Sequence, residues 1–391
     1  MFGLKKKSSP YGVIIDVHSG SVGISLIESS ETSSDVQILF THREYIKILE
    51  NPDSAGLVRA IRHALFAASL VFSESGQKIL REQDDDAWIH KVMFICGAPW
   101  ANTVTRFIHV EDTEPFTVSE EKVRALITEA ERRDEHELQA STLLKELNIS
   151  LVERAVINTA VNGYLVHEPY GKKGTSLSLA HISGLIPQAI LDTVRDIEEK
   201  LFPDATTSAH TFALVLFCVI RDLFPKVRHA LCVDISGEAT ELAIMQDETL
   251  METCVFPFGT HTFVRMVALE LNTFPDEALG HLRSLTADTP LPIQEAIKKV
   301  TDAYTAELTQ ALALLEARYT IPRHIYALTS RELHNFFDPI LTSATDRYRS
   351  THGSYTSLNA TLLGNDEKAK DVFFVLESRF FHKMHACGEI Y

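Results

Sequence analysis

Residues 11–26, YGVIIDVHSGSVGISL, and residues 230–245, ALCVDISGEATELAIM, follow one plan in two distant parts of the chain. Each opens on an apolar run and places an aspartate near its end, Asp16 in the first and Asp234 in the second. Each then turns through small residues, His18-Ser19-Gly20-Ser21 or Ser236-Gly237-Glu238, and leaves on alternating apolar positions. Alternation with period two reads as strand, and a short run of Gly and Ser between such runs reads as a tight turn. Both stretches therefore predict strand–turn–strand units.

Working outward from the first unit, residues 35–48 carry a third strand signal. From Pro52 to about Leu80 the apolar residues Leu57, Ile61, Leu65 and Leu70 fall at helical spacing, until Asp84-Asp85-Asp86 breaks the pattern. The second unit continues through the turn Gln246-Asp247-Glu248 into a strand over Leu250–Phe256. A helical half from Thr260 to about Tyr319 follows, interrupted at Pro275 and at Thr286–Pro292, and a buried strand signal at Ile325–Leu328 comes after it. Leu308, Leu312, Leu315 and Tyr319 read as a core-facing stripe. Between the two units lie strand candidates at Val92–Ile95 and Val104–Val110, and a helix from Thr117 to about Leu147 with Ser119 as N-cap. Strands at 152–161 and 177–185 and helices near 188–202 and 206–224 complete the stretch. The pattern predicts a mixed α/β fold with an inserted α+β subdomain. The expected divisions are 1–87 and 187–228 for the first lobe, 88–186 for the insert, 229–364 for the second lobe and 365–391 for a tail.

The 391 residues are 45% hydrophobic and 23% charged, values of a folded chain and not of a disordered one. A net charge of −16 argues against a nucleic-acid binder. Five cysteines with no C-x-x-C pair make a disulfide scaffold or structural zinc site a poor expectation. The 17 histidines supply no H-x-x-x-H zinc pair. Ser19-Gly20-Ser21 lacks the context of a nucleophile elbow, so a hydrolase is not expected. The basic start, Met1 to Lys7, runs into polar Ser8-Ser9-Pro10 where a signal peptide would be apolar. The longest apolar runs, Ala64–Phe72 and Phe212–Ile220, are about half of what a spanning helix needs. The expected location is the cytoplasm, with peripheral contact at the inner membrane face allowed.

An aspartate at a buried strand end needs a partner or a metal. Turns of this shape offer consecutive backbone N–H groups to phosphate oxygens. Two of them face to face could clamp a triphosphate, with Asp16 and Asp234 holding Mg2+ through waters. Ordinary strand-end Asx turns would give the same spelling.

The two units resemble the phosphate motifs of the actin-like ATPase superfamily, and within it those of the FtsA/PilM type, the division protein FtsA and the type IV pilus assembly protein PilM. Asp16-Val17-His18-Ser19-Gly20-Ser21-Val22-Gly23 stands where that family reads D-I-G-T-S-S-V-K. Val233-Asp234-Ile235-Ser236-Gly237-Glu238-Ala239-Thr240-Glu241 stands for V-D-I-G-G-G-T-T-D. Val255-Phe256-Pro257-Phe258-Gly259 and Asn272–Ala278 are similar to the segments that follow, and 88–186 has the order of the family's inserted subdomain. The resemblance implies an actin-like (ribonuclease H-like) two-lobed fold. It also implies ATP and Mg2+ held by Asp16, Ser19, Gly20, Ser21, Asp234, Ser236, Gly237 and Thr240, with Asp16 and Asp234 toward the metal and no catalytic residue assigned. Implied partners are a peptide from a pilus inner-membrane protein or from FtsZ, and further copies of the chain.

The departures from those motifs bear on mechanism. His18 stands where glycine lets the backbone approach phosphate, and Gly23 where a lysine often reaches toward it. Ser236 and Glu238 replace glycines, Ala239 replaces a hydroxyl residue, and Leu328-Thr329-Ser330-Arg331-Glu332 keeps no glycine of the adenosine motif L-T-G-G-G. A Glu238 carboxylate would repel phosphate. The expectation is a scaffold with weak or lost ATP binding and no productive hydrolysis; the alternative is an FtsA-like protein that binds ATP and FtsZ and polymerises. In the tail, Phe373, Leu376, Phe380 and Met384 share a helical face beside Lys370, Arg379 and Lys383, as a lipid-binding helix would. Phe374, Val375 and Phe381 fall off that stripe, and Glu377 and Glu389 offset its charge. A tail folded back into the core is the preferred expectation. Strand edges of the insert are the expected docking surface.

Overall fold

The computed structural model describes residues 10–30, 36–140, 148–330, 332–349, 353–360, 362–363 and 371–386, with backbone only at 137–139. The first lobe contains β1 (Tyr11–Val17), β2 (Ser21–Glu28), β3 (Gln37–Tyr45) and α1 (Ser54–Val71), which passes through a π-turn into α2 (Gln77–Gln83), and then β4 (Lys91–Cys96). The insert follows as β5 (Asn102–Thr117), α3 (Glu120–Ala140), β6 (Ile149–Val161), β7 (Tyr164–Leu165) and β8 (Lys173–Pro187). The chain returns to the first lobe with α4 (Gln188–Leu201), β9 (Thr206–Thr211) and α5 (Phe212–Leu223). The second lobe holds β10 (Ala230–Ile235), β11 (Thr240–Gln246), β12 (Thr249–Phe256), α6 (Thr260–Leu271), α7 (Pro275–Arg283) and α8 (Leu291–Glu316). It ends with β13 (His324–Thr329), α9 (His334–Ala344), α10 (Asp346–Arg349) and β14 (Ser354–Ser357), after which comes the C-terminal helix α11 (Val372–Ala386).

Each lobe is built on a five-stranded sheet, in the orders β3-β2-β1-β4-β9 and β12-β11-β10-β13-β14. In both, an antiparallel hairpin carries the Asp-bearing turn and a parallel partner lies on its other side. β1 is buried on both faces because each row of its side chains meets a different helical layer. Val13, Ile15 and Val17 pack with Ile61, Leu65 and Phe72 of the first long helix, while Ile14 joins the layer of α5 and α11. α5 is buried from Phe212 through Ile220 because it lies between the two sheets, with Ile14 and Met93 on one side and Cys232 and Ala243 on the other. A helix that is apolar all round is buried all round.

Several boundaries differ from the sequence expectation. The insert begins at Asn102, not residue 88, because β4 is the parallel neighbour of β1 in the main sheet. Residues 206–224 are not one helix: Thr206–Thr211, rich in β-branched threonine, pairs along β4 as an edge strand, and the helix starts at Phe212. Leu70 is exposed, and the helical stripe continues instead through Ala68 and Phe72. A strand, β14, emerges from the Ser/Thr-rich stretch and extends the second sheet beside β13. Ser54–Gln83 is long and apolar enough to cross a membrane, yet its inner face, from Ile61 to Leu80, covers the first sheet.

The insert has its own sheet, β5-β8-β6-β7, and a small core of Val118, Val123, Val161, Leu177 and Leu179 beneath α3. Ser119 caps α3 by accepting from the Lys122 amide at 3.2 Å. The insert also touches the second lobe, where Thr253 donates to the Thr103 carbonyl at 3.1 Å.

α11 is a first-lobe element, not a separate tail. Phe374, Val375, Leu376, Phe380 and Phe381 are all fully buried. Glycines receive two of the rings: a Cβ on Gly12 would lie 2.2 Å from the Phe381 ring, and one on Gly23 2.5 Å from that of Phe374. Lys370 and Glu389, named with the basic stripe, lie outside the described residues.

Candidate functional site at the cleft between the lobes

The turns after β1 and β10 meet at the cleft floor, and the carbonyl of Ala98, just past β4, joins them. Ser236 Oγ donates to the Ala98 carbonyl at 2.9 Å, and Ser19 Oγ lies 2.9 Å from Ser236 Oγ. The Glu238 amide donates to Ser19 Oγ at 2.8 Å, so an N–H of the second turn is already satisfied by the first. The glycines touch: a Cβ on Gly237 would lie 2.6 Å from the Gly20 Cα.

His18 stands between the two aspartates. Its Nε2 is 3.1 Å from Asp16 Oδ1 and its Nδ1 is 3.8 Å from Asp234 Oδ2. The ring needs Gly97, where a Cβ would come within 2.4 Å of it, and it is packed edge-on by Phe212 and Phe373. Burial works against a charge on His18, but the Asp16 carboxylate and then Asp234 outweigh it and raise its pKa above the usual imidazole value.

Arg43 on β3, opposite Gly23 in register, completes the floor. Its Nη1 lies 2.7 Å from Asp16 Oδ2 and its Nε 2.5 Å from Asp371 Oδ2 at the start of α11. Against the pull of burial, His18 and Arg43 together hold the Asp16 carboxyl down at about 2. Among the described residues His18 is the one cation that acts on Asp234; burial, with Asp16 adding to it, lifts its carboxyl to about 6. Glu377 of α11 faces Asp16, and burial followed by that neighbour drives its pKa well above the ordinary value. Glu241, opposite Asp234 in the hairpin, is raised by burial and by Asp234 to about 8.

Glu238 does not point a bare carboxylate at the cleft. Arg265 on α6 grips both of its oxygens, at 2.9 and 2.5 Å, and His261 stands 3.5 Å away. These partners overcome burial and hold Glu238 at about 2.

The sequence-named residues thus divide. Asp16, Ser19, Gly20, Asp234, Ser236 and Gly237 converge on one point. Ser21 lines the cleft and accepts from Arg43 at 3.0 Å. Thr240 is turned into the second-lobe core, donating to the Phe258 carbonyl at 2.7 Å beside the Tyr304 hydroxyl. Arg43, Arg265 and Glu377 were missed. A lone arginine in an edge strand, one on a helix and a glutamate in an aromatic run carry no local signal, since their roles come from partners far along the chain.

In this structure the two turns touch, the Glu238 amide is taken by Ser19, and the imidazole stands between the aspartates, the places where the resemblance would put phosphate and Mg2+. Above this floor a cavity of about 1140 Å³ stays open, lined among others by Lys47, His261, Ser330 and Asn359. On its wall Arg283 pairs with Glu332, whose backbone stands in the degenerate adenosine motif.

Two lobes on five-stranded sheets, each presenting an Asp-bearing hairpin to a shared cleft, define the actin-like ATPase fold, and this chain has it. A structure described as the PilM–PilN type IV pilus biogenesis complex matches with a TM-score of 0.57 over 96% of this chain and 98% of that one, at 13% identity. A Bacteroides thetaiotaomicron protein described as having an actin-like ATPase fold and unknown function gives 0.42 over 97% and 98%, at 11% identity. The ethanolamine utilization protein EutJ from Carboxydothermus hydrogenoformans gives 0.44 over 97% and 92%, at 9% identity. At 13% identity the likeness to the first of these is one of fold alone. No protein-family profile matches the chain, and no curated protein matches it in sequence.

Proposed function

We propose that this chain is a non-hydrolysing actin-like scaffold of the PilM kind, which works at the cytoplasmic face of a membrane and holds an extended segment of a pilus membrane protein. The observation that carries the reading is the contact between the phosphate turns, with Gly20 against Gly237 and Ser19 on the Glu238 amide. A protein that turns over ATP needs those groups free for phosphate and metal. The fold likeness to a structure described as a PilM–PilN complex supports the choice of partner class. The outer edge of β5 beyond Thr103, where β12 approaches it, pairs with no other strand among the described residues and suits an extended peptide, with Phe107 exposed beside it. An FtsA-like role, with ATP-driven polymerisation, FtsZ as partner and a lipid-binding C-terminal helix, would need an open phosphate site and a free α11. The touching turns and the buried Phe374, Phe380 and Phe381 favour the scaffold.

Calorimetric titration with ATP and Mg2+ tests the first half: no saturable heat is expected, and a micromolar affinity overturns the reading. Titration with a peptide from the cytoplasmic segment of a pilus inner-membrane protein of the same organism tests the second half. Saturable binding with amide-exchange protection confined to Thr105–Val110 is expected, and protection only elsewhere removes the β5 edge.

A further inference from the structure

We propose that Asp16, His18 and Glu377 form the binding site of one divalent transition-metal ion of the Zn2+ class, which fastens the C-terminal helix to β1. The inference is independent of the nucleotide reading, since every ligand comes from the chain itself.

Two of the three side chains already stand at the spacing of ligands around one ion, and the third lies within reach of both. Two ligands at the usual Zn–N and Zn–O lengths of about 2.0–2.2 Å lie about 3.0–3.5 Å from one another, and Asp16 Oδ1 stands 3.1 Å from His18 Nε2. A Glu377 oxygen lies within 4.8 Å of both, and all three residues are buried. Among the described residues neither Glu377 oxygen meets a hydrogen-bond donor, although the residue is 0% exposed. The group Glu377 meets is another carboxyl, Asp16, and two buried carboxyls face to face are held together by a shared proton or a shared ion.

The surrounding groups are those that metal ligands require. The far nitrogen of His18 faces Asp234 at 3.8 Å, longer than a hydrogen bond but close enough for the carboxylate to favour that ring orientation and to become its outer partner when an ion binds. Arg43 takes the other oxygen of Asp16 at 2.7 Å and divides its charge with Asp371, which leaves Oδ1 for the ion. The buried carboxyls of Asp16, Asp234 and Glu377, with half-buried Asp371 beside them, crowd around one guanidinium and one imidazole, a gathering of acids that a divalent ion offsets. Imidazole with carboxylates suits Zn2+ and its neighbours, whereas Mg2+ keeps several waters for which the Phe212–His18–Phe373 packing is too tight.

The test uses the full chain, freed of metal by chelator and titrated with Zn2+ by calorimetry, with bound metal counted by plasma mass spectrometry. One ion per chain is expected, with a rise in Tm. Glu377→Gln and His18→Gln should each weaken it at least about 100-fold, and Asp234→Asn about 10–100-fold. Glu377→Gln keeps the neutral shape of the protonated acid, and the circular dichroism of each metal-free variant checks its fold. His281→Gln, at a half-buried histidine paired with exposed Glu277 on α7, should bind as the parent does. No stoichiometric ion in the parent, unchanged affinity in both ligand variants, or loss only with His281→Gln overturns the proposal.

Discussion

Replacing Phe381 by alanine removes a ring that is fully buried on β1, above Gly12 and beneath the Lys91 ammonium, which stands 5.6 Å from the ring centre. Emptying such a site costs the transfer free energy of the ring plus an unfilled cavity, about 3–5 kcal/mol for Phe→Ala. That corresponds to a fall in Tm of roughly 6–20 °C at the 2–4 °C per kcal/mol of a mid-sized domain. Gly12→Ala alone forces a Cβ to within 2.2 Å of the same ring and should cost about 1–3 kcal/mol by overpacking. In the double variant the methyl enters space the ring has left, so the two costs should fall short of their sum by about 1 kcal/mol or more. Urea unfolding followed by tryptophan fluorescence suits the measurement, because both tryptophans, Trp88 and Trp100, lie in the first lobe. If α11 were a lipid-seeking helix loose in solution, Phe381→Ala would change stability by about 0.5 kcal/mol or less, and that result, or strict additivity with Gly12→Ala, refutes the packing argument. Deleting the whole helix is a poorer experiment. Five fully buried side chains at about 1.5–3 kcal/mol each amount to the entire stability of a typical domain. Lipid binding is therefore better compared between the parent and Phe381→Ala than with a truncated chain.

Arg265→Met should destabilise the chain by about 3–5 kcal/mol, since it leaves the Glu238 carboxylate nearly buried and opposed only by His261. Adding Glu238→Gln should restore most of the loss, which chemical denaturation of the two variants will show. In chelator-treated protein, stability should rise with pH from about 2 to 4.5 as Glu238 ionises onto Arg265, because its folded pKa of about 2 is below the unfolded 4.5. It should fall again between about 4.5 and 8, because Glu241, raised to about 8, keeps its proton in the folded chain, with Asp234, raised to about 6, and Glu377 adding to the fall; Glu241→Gln should make that limb shallower in a Tm–pH series, most of all above pH 6. Gly97→Ala drives a methyl into the His18 ring and should cost about 1–3 kcal/mol, together with weaker Zn2+ binding in the calorimetric titration.

The strand–turn–strand units and the mixed α/β class with an insert were legible because local alternation, turn residues and helical spacing are properties of neighbours in sequence; the two-lobed arrangement came from the resemblance of the two turns to known phosphate motifs. Asp16 and Asp234 were legible as unusual for the same reason: an acid at the end of an apolar strand is conspicuous wherever it occurs. The edges of elements were less legible. Thr206–Thr211 becomes a strand because β4 offers it an edge, and β14 forms because β13 does; neither partner is adjacent in the sequence.

By itself, then, the sequence determined that two Asp-bearing hairpins exist and that their turns had lost the glycines of an open phosphate cradle. Only the tertiary structure decided what replaced the cradle. His18 could have swung aside, Glu238 could have faced the cleft, and the Phe-rich C-terminal segment could have stood free. Each was settled by a partner brought in from elsewhere in the chain: Gly97 making room for the imidazole, Arg265 gripping the carboxylate, and Gly12 and Gly23 receiving the rings of Phe381 and Phe374. A buried charge or a bulky ring is tolerated only where its complement sits within a few ångströms, and that proximity is set by packing rather than by the residues next to it in the chain.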